Sequence, residues 1–77
     1  MDIRCERRQE KTVLCVRQKG VEQVCVPGDE IEVRTCQEVY MGLLLEVTDE
    51  FIRLLDPLYG EVLIYLFGIC QIGRCME

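Results

Sequence analysis

A chain of 77 residues has room for one domain with a limited core, and scaffolds this small commonly need disulfides, a metal or oligomerisation to hold together. Hydrophobic residues make up 49% of it, too many for a disordered segment, and a net charge of −5 disfavours nucleic acid, whose non-specific affinity needs clustered Lys and Arg. Six cysteines are a heavy load at this length, so a staple or a cross-link is expected.

Residues 1–11 are polar and carry no period, and they read as a flexible arm. Arg4, Arg7, Arg8 and Lys11 are diluted there by Asp2, Glu6 and Glu10, which describes a solvated mixed-charge segment. No apolar run follows Met1, so no secretory signal is visible and synthesis in the cytoplasm is expected. Residues 12–27 read as a β-hairpin extension: Thr12 to Val16 as a strand, Arg17 to Gly20 as a turn, and Val21 to Val26 as the partner strand. Pro27-Gly28-Asp29 ends that pairing.

Ile31 to Thr35 alternates apolar and polar residues, and this strand is expected to extend towards Val39. Tyr40 to Val47 follows, where Gly42 suggests a bend or bulge. Asp49-Glu50 connects to Phe51–Leu55, and Asp56 to Gly60 turns into Glu61–Phe67. Gly68 interrupts before a short strand from Ile69 to Ile72. A helix competes for residues 42–55, since leucine and glutamate are good helix formers, but the short spacing of turn signals favours strands. For residues 62–72, β-branched and aromatic residues with internal glycines exclude a helix. The longest apolar stretch, Val62 to Cys70, is short of the ~20 residues of a membrane helix, so no membrane partner is expected.

From Gly28 to residue 77 the order of features resembles the Sm-like small β-barrel, a five-strand SH3-type fold. The resemblance rests on Gly28 with Ile31-Glu32-Val33, on Gly42 to Val47 with Asp49, on Phe51 to Leu55, on Glu61 to Leu66, and on Gly68-Ile69 with Ile72. The whole is thus expected to be all-β, a small five-strand SH3/Sm-like barrel preceded by an amino-terminal β-hairpin and a flexible arm. Within that group it is similar to uncharacterised Sm-like domains of spore-forming bacteria, some of them in spore-coat proteins. The RNA-binding members place asparagine where this chain has Arg53, and arginine before the last-loop glycine where it has Phe67 before Gly68. Without histidine there is no counterpart of the Hfq uridine pocket either. The resemblance implies the fold and not the RNA site.

The fourth barrel strand carries Val62, Ile64 and Leu66 on one face and Leu63, Tyr65 and Phe67 on the other, so both faces are apolar where one should be polar. Either the amino-terminal hairpin covers the second face, or a neighbouring copy does, as this edge does in Sm-like rings. All six residues are subunit-interface candidates.

Cys5, Cys15, Cys25, Cys36, Cys70 and Cys75 form no Cys-x-x-Cys pair and have no histidine to join them, so neither a structural metal site nor a thiol oxidoreductase motif is present, and no cofactor is expected. Alternation sets Cys36 opposite Ile31, Val33 and Thr35, Cys15 with Val13 and Arg17, and Cys25 with Val21 and Gln23. Buried packing suits Cys70 and in part Cys15 and Cys25. Cys15 and Cys25 face each other across the hairpin if the register allows. Cys5 and Cys75, in the arm and the tail, are placed to reach another chain. All six are cross-link candidates, with disulfides, some between subunits, locking an assembly under oxidising conditions outside the cell or at a spore surface.

Asp29-Glu30 and Asp49-Glu50 sit at turns, there is no serine, and a cysteine nucleophile has no histidine base, so neither an enzyme nor a small-molecule substrate is expected. Tyr40, Tyr59 and Tyr65 read as packing and not as a stacking platform for bases. The leading reading is a self-assembling structural protein, a disulfide-cross-linked oligomer, fibre or layer whose partners are copies of itself. The alternatives are an Sm-like ring acting as a regulatory or nucleic-acid-binding module, and a small-barrel adaptor for another protein.

Overall fold

The computed structural model describes residues 2–74, the last by its backbone alone. The chain is all-β, and the eight strands among the described residues lie in two antiparallel sheets. In order they are β1 (Asp2–Arg8), β2 (Lys11–Gln18), β3 (Val21–Cys25), β4 (Glu30–Thr35), β5 (Val39–Val47), β6 (Phe51–Asp56), β7 (Gly60–Tyr65) and β8 (Ile69–Arg74), with a 3-10 turn at Leu66–Gly68 before β8. The first sheet has the order β1-β2-β3 and the second the order β7-β6-β5-β4-β8. No α-helix forms over residues 42–55 or 62–72. The second sheet ends at β7 and β8, which do not pair with each other.

Over Asp2–Arg8 the chain is a strand, which corrects the reading of residues 1–11 as a flexible arm. Every residue of β1 pairs with β2, from Asp2 opposite Arg17 to Arg8 opposite Lys11. The polar composition hid a period of two. Ile3 and Cys5 pack against the core, while Asp2, Arg4, Glu6 and Arg8 share the other face. That face is held by alternating charge, with Arg4 on Asp2 at 2.8 Å and Arg8 on Glu6 at 3.0 Å. Arg4 stands opposite Cys15 and Glu6 opposite Val13, both buried on the same face of β2. The connecting turn also lacked a signal: Gln9 and Glu10 take left-handed φ of 49° and 65° without a glycine. The β2–β3 turn takes the same form at Lys19 and Gly20, where glycine accepts the second left-handed position without strain.

Both sheets close on one core. Leu14, Val16 and Cys25 of the first pack with Ile31, Val33, Leu44, Ile52, Leu54, Ile64 and Ile72 of the second. The link between the sheets is fastened to β5, with Gly28 donating to the carbonyl of Leu44 and Leu44 donating to that of Asp29, both at 2.8 Å. Strand β4 stops at Thr35, short of the expected extension to Val39, because the Thr35 hydroxyl accepts from the amides of Gln37 and Glu38 and turns the chain. Thr48 repeats this before β6, accepting from Glu50 and Phe51. Strand β7 ends two residues before Phe67, where the 3-10 turn carries the chain to β8 beside β4.

Gly42 is not where β5 bulges. The register slips between Leu44 and Glu46, leaving Leu45 as the extra residue, whereas Gly42 pairs regularly with Ile31. What Gly42 provides is space: a Cβ there would lie 2.2 Å from the backbone oxygen of Leu55. Beside it, the buried Asp56 carboxylate accepts from the amide of Met41 at 3.1 Å and from those of Leu58 and Tyr59 at 2.7 and 3.1 Å. Desolvation pushes this carboxyl up, but the three amide donors outweigh it and hold the group below its ordinary 3.8.

Gly42→Ala should cost about 3 kcal/mol in chemical denaturation, since backbone has to move, while Gly68→Ala, with nothing within 4 Å of the new methyl, should stay within about 0.5 kcal/mol. Because its folded pKa is depressed, Asp56 contributes stability that is fully present above 3.8 and is lost as pH falls through the folded value. Asp56→Asn keeps an acceptor for the turn but not for Met41, so it should be less stable at neutral pH and lose stability less steeply in acid. Thermal melts between pH 2 and pH 7 check both outcomes.

Candidate functional site

The groups that sequence marks out fall on two parts of the surface. On β7, alternation places Val62 and Ile64 inward, and Leu66 follows them into the core from the 3-10 turn. These three interface candidates are engaged within the chain. The outward set is not covered: Leu63 is 44% exposed, Tyr65 51% and Phe67 90%. The amino-terminal sheet packs on the core side and leaves this face open. The three aromatic rings at this end stack on one another, Tyr65 with Phe67 at 5.6 Å and Phe51 edge-on to Tyr65 at 6.2 Å.

Next to the rings lies a groove of about 740 Å³. Its walls are Asp2 to Cys5 of β1, the Asp49-Glu50 turn, and Tyr65 to Phe67 with Ile69. Leu66 donates to the carbonyl of Glu50 at 2.9 Å and so fixes the 3-10 turn against the acidic corner. Sequence reading missed this place, because β1 passed for an unstructured arm. The sign that marks it is the alternation Asp2, Arg4, Glu6, Arg8 around Ile3 and Cys5.

Arg53, at the position where RNA-binding Sm-like strands place asparagine, is held by Glu46 at 3.5 Å and Glu61 at 3.2 Å. The guanidinium is neutralised across β5, β6 and β7. Tyr59 donates to Glu38 and packs edge-on to Tyr40, joining the two turns at the other end of the sheet.

Cys5, Cys15, Cys36 and Cys70 are free thiols, the Cys25 thiol accepts from the side-chain amide of Gln23 at 3.8 Å, and Cys75 lies outside the described residues. Cys15 and Cys25 are buried, but they do not face each other. Cys25 stands opposite Leu14, and Cys15 opposite Val24, so the two thiols point to opposite faces of the sheet. A turn of only Lys19-Gly20 sets that register. Cys70 is exposed and not packed inside. Its Sγ lies 3.5 Å from that of Cys36, also exposed, where β8 passes the end of β4. Cys5 is half-buried on the groove wall.

Burial raises the thiols of Cys5 and Cys15, with Asp49 adding to the first and Arg8 opposing it at the second. Cys70 is raised by its contact with Cys36 and then by burial. None of these three carries the lowered pKa of a reactive cysteine. Among the described residues, no group of three or more Cys, Asp or Glu is arranged to hold a metal ion. No helix among the described residues is long and apolar enough to cross a membrane.

Comparison with known proteins gave no match, whether to a family model, a curated protein or a solved structure.

Exposure to a low-molecular-weight disulfide should join Cys36 to Cys70 within one chain, since a disulfide of about 2.05 Å needs only small side-chain rotations from this geometry. The closed loop should stabilise the fold by about 3–4 kcal/mol. Peptide mapping of the oxidised protein reads this directly; bridges from Cys36 only to other chains would contradict it.

Proposed function

We propose that this chain is a self-assembling structural protein whose partner is a further copy of itself. The observation that carries the reading is the outer face of β7 and the 3-10 turn, where Leu63, Tyr65 and Phe67 lie exposed together at a sheet end. Contiguous exposed apolar surface of this kind marks contact sites. Among the described residues the strand also has no neighbour on its outer edge, and edges left open pair readily with another chain. The order β7-β6-β5-β4-β8, with β8 returning to β4 after a 3-10 turn and β5 bent at a bulge, supports reading the second sheet as an Sm- or SH3-like small barrel.

Cysteines fit this reading as locks applied after assembly. Cys36 and Cys70 secure each subunit, and Cys5 and Cys75 remain for bridges between chains. The net charge of −5 and the neutralised Arg53 favour this over a nucleic-acid module.

Sedimentation of the reduced protein over a concentration series tests it. The wild type should be multimeric, and Phe67→Asp should shift it towards smaller species. Because Phe67 is 90% exposed, that variant should change subunit stability by no more than about 0.5 kcal/mol. A wild type that stays monomeric up to millimolar concentration would overturn the reading.

A further inference from the structure

The free edge of β1 has a charge order that reads as its own complement. In a hairpin closed by a two-residue turn the flanking pair, here Arg8 and Lys11, exchanges backbone hydrogen bonds. Alternation then turns the backbone groups of Ile3, Cys5 and Arg7 to the open side, where β1 has no neighbouring strand among the described residues.

Consider a second β1 laid antiparallel on that edge about a two-fold axis through Cys5. Asp2 then stands opposite Arg8 of the second copy, and Arg4 opposite its Glu6, so that all four charged pairs across the axis are attractive. Sliding the copy by one strand period sets Arg4 against Arg4 and Asp2 against Glu6, or Glu6 against Glu6 and Arg4 against Arg8. A parallel copy in register sets every charge against its like. Edge strands are often blunted by charge, but blunting does not require signs that match in one antiparallel register and clash in its neighbours.

The groove receives the same arrangement. Arg7, for which no ion pair forms among the described residues, comes opposite Ile3 of the other copy, on the wall shared with Asp49 and Glu50. An acidic corner thus meets the one β1 arginine with no ion pair among the described residues.

We propose that two copies of this chain associate through antiparallel pairing of their β1 strands about Cys5, with Asp2–Arg8 and Arg4–Glu6 contacts across the axis and Arg7 entering the partner's groove. This names the partner surface within the self-assembly reading and rests on it. It joins the two three-stranded sheets into one of six strands and leaves the open edge of β7 for a different contact. Such pairing is isologous, so it closes as a dimer and extends further only through a second surface.

Complementation by charge tests it on the full reduced chain. In Arg4→Glu, two Arg4–Glu6 contacts become like-charged, and in Glu6→Arg the same two do so with opposite sign. Each variant alone should weaken the dimer about tenfold or more in sedimentation velocity. An equimolar mixture of the two restores attraction at both contacts and should recover dimers of wild-type strength, a rescue that a merely misfolded variant does not give. Unchanged association of both variants, or weakening without rescue, would overturn the β1 contact while leaving the self-assembly reading in place. A monomeric wild type would remove both.

Discussion

The backbone of Leu55 and Asp56 lies against Gly42 so closely that no side chain fits between. This contact decides the shape of the second sheet. With the Asp56 carboxylate fixing the amide of Met41 from the same spot, β5 and β6 are clamped at one end, and the extra residue at Leu45 bends β5 further along. Bent this way, one sheet presents Ile31, Val33, Leu44, Ile52, Leu54 and Ile64 to a single interior. The amino-terminal sheet supplies Leu14, Val16 and Cys25 to close it. Neither sheet buries its apolar side alone, so the chain behaves as one cooperative core despite its two sheets.

Much of this is legible in the sequence where hydrophobic alternation is uninterrupted. Strands β2 to β8 lie close to where their β-branched and aromatic runs fall, and the inward and outward sets of β7 follow directly from the period of two. Strand β1 is hidden because its period is written in charge, with Asp2, Arg4, Glu6 and Arg8 alternating around Ile3 and Cys5. Its hairpin turn is built from Gln9 and Glu10, which carry no turn signature. The role of Gly42 needed the pairing of β5 with β6, and the meeting of Cys36 with Cys70 that of β4 with β8, neither of which follows from where the strands fall along the chain.

Cysteine placement shows the same limit at finer scale. Cys15 and Cys25 are separated by register, not by distance along the hairpin, and one residue of turn length decides whether two thiols share a face. Cys70 follows an apolar run and reads as buried, but the 3-10 turn ahead of it resets the alternation and brings it to the surface. The candidate surfaces were half legible: the outer residues of β7 were marked by pattern, whereas the groove beside β1 exists only because a segment without hydrophobic pattern is a strand.

The left-handed turn at Gln9 and Glu10 has a consequence for where the molecule opens. Two non-glycine residues at positive φ each store on the order of 1 kcal/mol, and β1 sits at a sheet end with only β2 to hold it. Local opening therefore begins there, and its amides exchange with solvent ahead of those of β5 and β6, which have neighbours on both sides. The chain divides into a slow interior and a faster rim, and the rim is the strand whose charges face outward.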